Sequence, residues 1–415
     1  MNKVTLGSIC NLSIGFVGTV TTQYENGGVP FLRTLNIKPY KIDPTDLKRI
    51  SLDFHRSQKK SILKKDDIIM VHTGTPGYCC VIPDEYDESN CIDAIVIKPD
   101  STKVNPYFLE AYMNSIGYRY IQKQQVGCVQ KHFNLSDAIN FQLFLPEIDI
   151  QNRIGNFIHN INLKIFNNDD AISQLEAIAK TLYNYWFVQF DFPDENGKPY
   201  RTSGGEMVWN EQLKREIPKG WKTGTIGDLG TIVSGGTPNT SCDEYYCTDG
   251  YAWITPNDLS GNTDKMFISH GERDVTVEGI ENSSAVLMPK HTVLLSTRAP
   301  IGYLAISENE VCTNQGFKSI VPDSGYSEFY IYYVLKSNIP AIAQQGVGTT
   351  FKEVSKETLS GFKIPLPPIE LTERFVAHIL AGCTKRKLLE NECKELTKLR
   401  DWLLPMLMNG QARVE

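Results

Sequence analysis

The sequence predicts an α+β chain of two similar globular modules, separated by two long antiparallel coiled-coil helices and arranged as a pseudo-twofold internal repeat. Three observations carry that expectation. The second half echoes the first at an offset of about 220 residues. Each half holds short apolar runs bounded by turn glycines, which read as strands. Each half then closes on Leu-Pro (Leu145-Pro146 and Leu366-Pro367) and passes into a long helical pattern. The boundaries that follow are residues 1–146 and 220–366 for the modules, 147–190 and 367–408 for the helices, 191–219 for a linker and 409–415 for a tail.

The echo can be followed along the chain. Thr5-Leu6-Gly7-Ser8 answers to Thr225-Ile226-Gly227-Asp228, and Phe31-Leu32 with Asn36-Ile37 answers to Trp253-Ile254 with Asp258-Leu259. The stretch from Ile68 to Gly77-Tyr78 matches Val293 to Gly302-Tyr303. Asp67–Val71 and Thr292–Ser296 read as buried strands, and Pro106–Tyr112 and Ser327–Tyr333 as helices opened by Pro or a Ser cap. Between these framework positions the halves differ. Residues 38–66 are rich in Lys and Arg, whereas 260–291 carry Asp264, Glu272, Asp274, Glu278 and Glu281. Divergent connections on a shared scaffold suggest one recognition module aimed at two targets, since loops carry specificity. A duplicated fold whose loops simply drifted accounts for the same pattern.

After Pro146, Ile154, Ile158, Ile161, Ile165, Ile172, Leu175, Ala179, Leu182 and Trp186 fall in a 3–4 alternation, a heptad seam. Asn168 is its one polar member and either fixes register or marks a break at Asn167-Asn168-Asp169-Asp170. The second helix repeats the seam with Phe375, Ile379, Leu389, Cys393, Leu396, Leu403 and Leu407, interrupted by Gly382 and Arg386. The helices pair with each other as a spacer, or pack on their own modules or on a second copy of the chain.

Composition narrows the function. The 415 residues are 41% hydrophobic and 22% charged, with 42 Lys+Arg against 48 Asp+Glu, values of a globular chain with a sizeable core. Met1–Phe16 is broken by Gly7, Ser8, Asn11 and Ser13, so no signal-peptide core is expected. No run of ~18 apolar residues suggests a membrane span, and a cytoplasmic location is expected. The ten Cys are scattered. Cys242 and Cys247 with Asp243 or His270 fit zinc spacing poorly, so the chain reads as reduced and metal-free. Neither a phosphate-cradling Gly loop nor a nucleophile elbow occurs, and Asn105-Pro106-Tyr107-Phe108 reads as a helix start. That points to binding rather than catalysis. The first module has 16 Lys/Arg against 14 Asp/Glu, concentrated at Lys38, Lys41, Lys48-Arg49, Arg56, Lys59-Lys60 and Lys64-Lys65; the second has 10 against 16. Charge alone favours nucleic acid only for the first.

Four stretches then resemble the specificity subunit of type I restriction–modification systems. Pro146–Ile154, with Gln151 and Ile154, resembles the family's helix entry, repeated at Pro367-Pro368-Ile369-Glu370. Leu175-Glu176 and Leu182–Phe192 resemble the end of its central conserved region. Gly197-Lys198-Pro199-Tyr200, Ser203–Val208 and Ile217–Trp221 resemble its inter-repeat linker, and Leu399–Gln411 its terminal block. The resemblance implies two target recognition domains, each reading half of a split asymmetric site in double-stranded DNA. It implies that the helices set the gap and dock two methyltransferase subunits, with restriction/translocase subunits as further partners. S-adenosylmethionine, ATP and Mg would serve those partners, leaving no cofactor and no catalytic residue here. From side-chain chemistry and loop position, the candidate DNA contacts are Arg33, Lys38, His72, Thr73, Gln124, Gln125, Lys131 and His132 in the first module. In the second they are Thr237, Asn257, Arg298, Asn314, Gln315, Thr349, Thr350 and Lys352. Two rivals stand beside this reading: a self-sufficient DNA-modifying enzyme, and a duplicated scaffold that binds only proteins.

Overall fold

The computed structural model describes residues 2–124, 132–261, 265–347 and 352–414. The chain divides into two compact units, one of Met1–Asn167 with Glu392–Glu415, the other of Asn168–Asn391. The unit boundaries therefore fall inside the long helices, rather than where module meets helix.

In the first unit, strand Asn2–Thr5 pairs antiparallel with Gln142–Leu145 and so joins the two ends of the module. Its main sheet is antiparallel, in the order Cys10–Ile14, Ala94–Pro99, Ile68–Val71, Cys79–Val81. The continuous apolar run at Ile68–Val71 is explained by burial on both faces. Ile68 and Met70 join a core with Phe108, Leu109 and Tyr112 of helix Pro106–Tyr112, while Ile69 and Val71 join a second core with Leu32, Cys80 and Val96. Asn105 caps that helix by accepting from Phe108 N at 2.9 Å, and its Nδ2 donates to Asn152 Oδ1. A smaller sheet joins Lys48–Ile50, Tyr24–Leu32 and Asn90–Cys91, the last pair parallel.

The second unit repeats this order. Lys222–Thr225 pairs with Lys363–Leu366, and the main sheet runs Thr231–Ser234, Lys318–Val321, Val293–Leu295, Leu304–Ser307. Val293 and Leu295 face one core and Leu294 another, the same division of faces as at Ile68–Val71. Gly77 and Gly302 hold equivalent turns at φ 102° and 108°, where a side chain would be strained. The second unit adds a fifth, parallel strand, Phe267–Ile268. Glu390 fixes its start by accepting from Met266 N at 2.9 Å and Phe267 N at 3.1 Å.

The two long helices span Ile148–Tyr183 and Ile369–Met408, and the first continues into a π-helical turn, Asn184–Val188. Helix persists through Asn167-Asn168-Asp169-Asp170, so the expected alternative of a break there is excluded; Asn168 is buried. Within the first unit the helical segments run antiparallel. Ile154 and Ile158 share a core with Leu404, Leu407 and Met408, Asn162 Oδ1 accepts from Arg400 Nη1 at 2.8 Å, and Cys393 Sγ lies 3.7 Å from Ile165 O. The second unit has the same arrangement. Phe375 packs against Phe187 with centroids 5.2 Å apart, Gly382 lies opposite Leu175, and Glu176 pairs with Arg386.

The seam positions differ in burial. Ile154, Ile158, Ile161, Ile165, Ile172, Trp186, Phe375, Ile379, Leu389 and Leu407 are buried, but Leu175, Leu182, Leu396 and Leu403 are only half-buried. Beside Leu182 and Leu403, which pack against the module cores, Tyr183 and Leu404 are buried, because near the helix ends the apolar stripe turns toward those cores; Leu175, in mid-helix, faces Gly382. The interruption at Arg386 is a buried ion-pair cluster: its Nε donates to Glu390 Oε1 at 2.6 Å, and its Nη1 meets Glu176, which also pairs with Lys336 at 2.7 Å.

Candidate nucleic-acid interface

In the second unit, backbone hydrogen bonds draw five separated loops to one end of the sheets. Gly236 N donates to Thr313 O at 2.8 Å, Asn314 N to Ile254 O at 3.1 Å, Thr297 N to Gly316 O at 2.7 Å and Val354 N to Thr297 O at 2.9 Å. These bonds bring Thr237, Arg298, Asn314, Gln315 and Lys352 into one cluster of loops. Thr237 Oγ1 bonds Gln315 Oε1, and Asn314 Oδ1 accepts from Gly316 N at 3.0 Å. Asn257 is exposed on the short helix Pro256–Ser260, which directly follows strand Tyr251–Ile254 and is opened by Thr255 bonded to Asp258. Thr349 and Thr350 lie outside the described residues.

The first unit places its loops by equivalent bonds. Phe16 N donates to Cys91 O at 2.8 Å, Ile92 N to Leu32 O at 3.0 Å and Phe133 N to His72 O at 2.9 Å. His72, Thr73 and His132 come together: Thr73 Oγ1 lies 3.2 Å from His72 Nδ1 and 3.1 Å from His132 Nδ1. Burial depresses the His72 imidazole below its ordinary value, with Asp93 opposing and His132 adding to the effect. Gln124 ends helix Tyr118–Gln124, and Gln125 and Lys131 lie outside the described residues. Lys38 lies on a two-residue hairpin with Lys41–Ile42. Arg33 is held by its own loop, with Nη2 2.8 Å from Asp46 Oδ2. Hydrogen bonds from Lys48 and Arg33 keep the Asp46 carboxyl below its usual range.

Three lysines of the basic run in the first module are likewise matched locally. Lys48 pairs with Asp46, Lys64 with Glu88 and Lys65 with Asp84. The charge that the sequence offers to DNA is therefore smaller than its residue count. Sequence reading missed Asp46 and, in the second module, Glu353, which pairs with Arg298 Nε at 2.9 Å. Nothing local in the sequence marks Glu353, since its partner stands 55 residues away. His270 engages Asp274 at 2.9 Å, and among the described residues no three metal-ligating side chains gather.

The model for the type I restriction modification DNA specificity domain matches residues 1–177 and again 218–397. The chain belongs to that family. A curated relative, the type I restriction enzyme HindI specificity subunit of Haemophilus influenzae, is 25% identical over 411 residues, covering 85% of this chain and 88% of that one. The MjaIX specificity subunit of Methanocaldococcus jannaschii is 36% identical over 207 residues, so the match spans about half of each protein, 48% and 47%. The crystal structure of a type I restriction-modification S subunit from M. genitalium shares the fold, with a TM-score of 0.60 at 15% identity over 98% of this chain and 96% of that one. The chain is thus a type I specificity-subunit relative carrying the DNA specificity domain twice. Among the described residues, no helix is long and apolar enough to cross a membrane.

Proposed function

We propose that this chain gives a type I restriction–modification complex its DNA sequence specificity, each module reading one half of a split, asymmetric site. The observation that carries the reading is a repeated framework with different chemistry at the same loop positions: Thr73 and His132 in one unit, Arg298 and Glu353 in the other. Two readers of one construction suit two unlike half-sites. The first long helix, 36 residues or about 54 Å, links the two modules along the chain and serves as the spacer that sets the gap between half-sites.

The helices also dock two methyltransferase subunits. Supporting this are large apolar side chains left in water along the helices: Leu163, Leu399 and Trp402 in the first unit, and Ile178, Leu380 and Leu388 in the second. In this reading the chain is not itself an enzyme. S-adenosylmethionine belongs to the methyltransferase subunits, and ATP with Mg to the restriction subunits. Because the second module is net acidic and the first neutralises several of its own lysines, most phosphate contacts come from those partners. The isolated chain then binds DNA weakly and the complex binds tightly, with steep salt dependence.

Mapping adenine methylation across the genome of cells producing this chain with its methyltransferase, against cells lacking only this chain, tests the proposal. A split asymmetric motif that disappears with the chain is expected, and exchange of residues 220–366 should change one half of it. Unaltered methylation, or loss of a continuous palindromic motif, would contradict the reading.

A further inference from the structure

Shortly after strand Val293–Leu295, Arg298 forms an isolated antiparallel bridge with Glu353. Arg298 Nε donates to Glu353 Oε2 at 2.9 Å, and Glu353 Oε1 lies 3.6 Å from Nζ of the buried Lys318. The Glu353 backbone is fixed as well, exchanging both hydrogen bonds with Val347 at 3.0 Å. The carboxylate is therefore held by a second cation beside Arg298, and its backbone by the facing main chain. Its bond to Arg298 uses Nε alone. Among the described residues Nη1 and Nη2 make no hydrogen bond, and the side chain is 46% exposed. What projects into solvent is a planar two-donor fork whose plane is set by Glu353.

Such a fork matches a pair of acceptors, and the base edge that offers two is guanine, through O6 and N7 in the major groove. Phosphate also offers acceptor pairs. One observation favours the base. The corresponding bridge of the first unit pairs Thr73 with His132. A phosphate contact carries no sequence information and would suit both modules equally, whereas a base contact must differ when the half-sites differ. We propose that Arg298 reads a guanine in the half-site of the second module, and that Glu353, anchored by Lys318, is the positioning residue that presents it. The inference rests on the DNA-specificity reading above.

The test maps methylated motifs in cells producing the complex with wild-type or variant chain, with thermal unfolding of each purified complex measured in parallel. The wild-type half-site read by the second module should contain a G·C pair. Arg298→Ala should weaken preference for that pair by roughly 5- to 150-fold, the discrimination of one bidentate contact, and leave other positions and the unfolding midpoint unchanged. Glu353→Ala should relax the same position, and Glu353→Gln, which keeps an acceptor for Nε, should restore part of it. A merely structural role for Glu353 would instead lower methylation at every position alike. The inference is overturned by an unchanged motif in Arg298→Ala, by a loss spread evenly over the site, or by a half-site of A·T pairs only. Failure of the specificity reading looks different, since then no split motif depends on even the wild-type chain.

Discussion

Replacing Arg386 by Met should destabilise the second unit. Arg386 is 2% exposed and Glu390, its partner at 2.6 Å, is 3% exposed. Glu390 spends both oxygens on Met266 N and Phe267 N, and Glu176 is the second acceptor for the guanidinium. Methionine fills much of the volume but leaves Glu390 as a buried charge without its cation. Breaking a buried pair from one side costs about 3–5 kcal/mol. For a unit of roughly 150–250 residues each kcal/mol moves the midpoint by ~2–4 °C, so the transition should fall by ~6–20 °C. Differential scanning calorimetry on the full chain reads this directly. Arg386→Lys should recover only part of the loss, because one ammonium cannot reach both carboxylates as Nε and Nη1 do. A midpoint within 1 °C of wild type for Arg386→Met (about 0.3–0.5 kcal/mol on the same scale) would show that the cluster contributes nothing net, and the reasoning would fail.

Other consequences are as specific. Burial raises the Glu110 carboxyl to about 8, opposed by the hydrogen bond it accepts from Val81 N at 2.8 Å. The unfolded chain releases that proton near pH 4.5 while the folded chain keeps it, so this group costs stability as pH rises from there toward 8. Glu110→Gln should therefore stabilise by several kcal/mol at pH 8 and by little at pH 5, measured by denaturant unfolding at both. Asn105→Ala removes a helix cap and should cost the first unit ~1–2 kcal/mol in the same assay. Trp402→Asp, at a side chain 60% exposed, should leave unfolding unchanged yet weaken binding to the methyltransferase subunit at least tenfold by calorimetric titration.

What the sequence revealed follows from which forces are local. Turn glycines, caps and the two-faced apolar strand leave their mark within a few residues, so Gly77 with Gly302, Ser327 and Ile68–Val71 were all legible. The helical seam was legible in its middle, but it drifted by one residue at Leu182 and Leu403, where module cores as well as the partner helix choose the buried face. Side-chain pairing across long separations was not legible. Glu390 caps a strand more than 120 residues before it and Glu353 bonds Arg298, because tertiary folding rather than any local pattern brings them together, while Asp46 reaches Arg33 within its own loop. Arg33 and Arg298 looked alike as candidates; only the geometry of their acid partners separates them.

The boundary between the units also orders events during synthesis. The second unit, Asn168–Asn391, is one uninterrupted stretch, whereas the first is completed only by Glu392–Glu415, which supply Leu404, Leu407 and Met408 to the core around Phe108. Chains usually mature domain by domain from the amino terminus as they leave the ribosome. Here the later-made unit is whole while the earlier one still waits for its last helix, so the amino-terminal module should be the final part to become protease-resistant. Limited proteolysis of released chains truncated after residue 391 should find the second unit protected and the first still open to cleavage. Chaperone demand would then fall on the half that was made first.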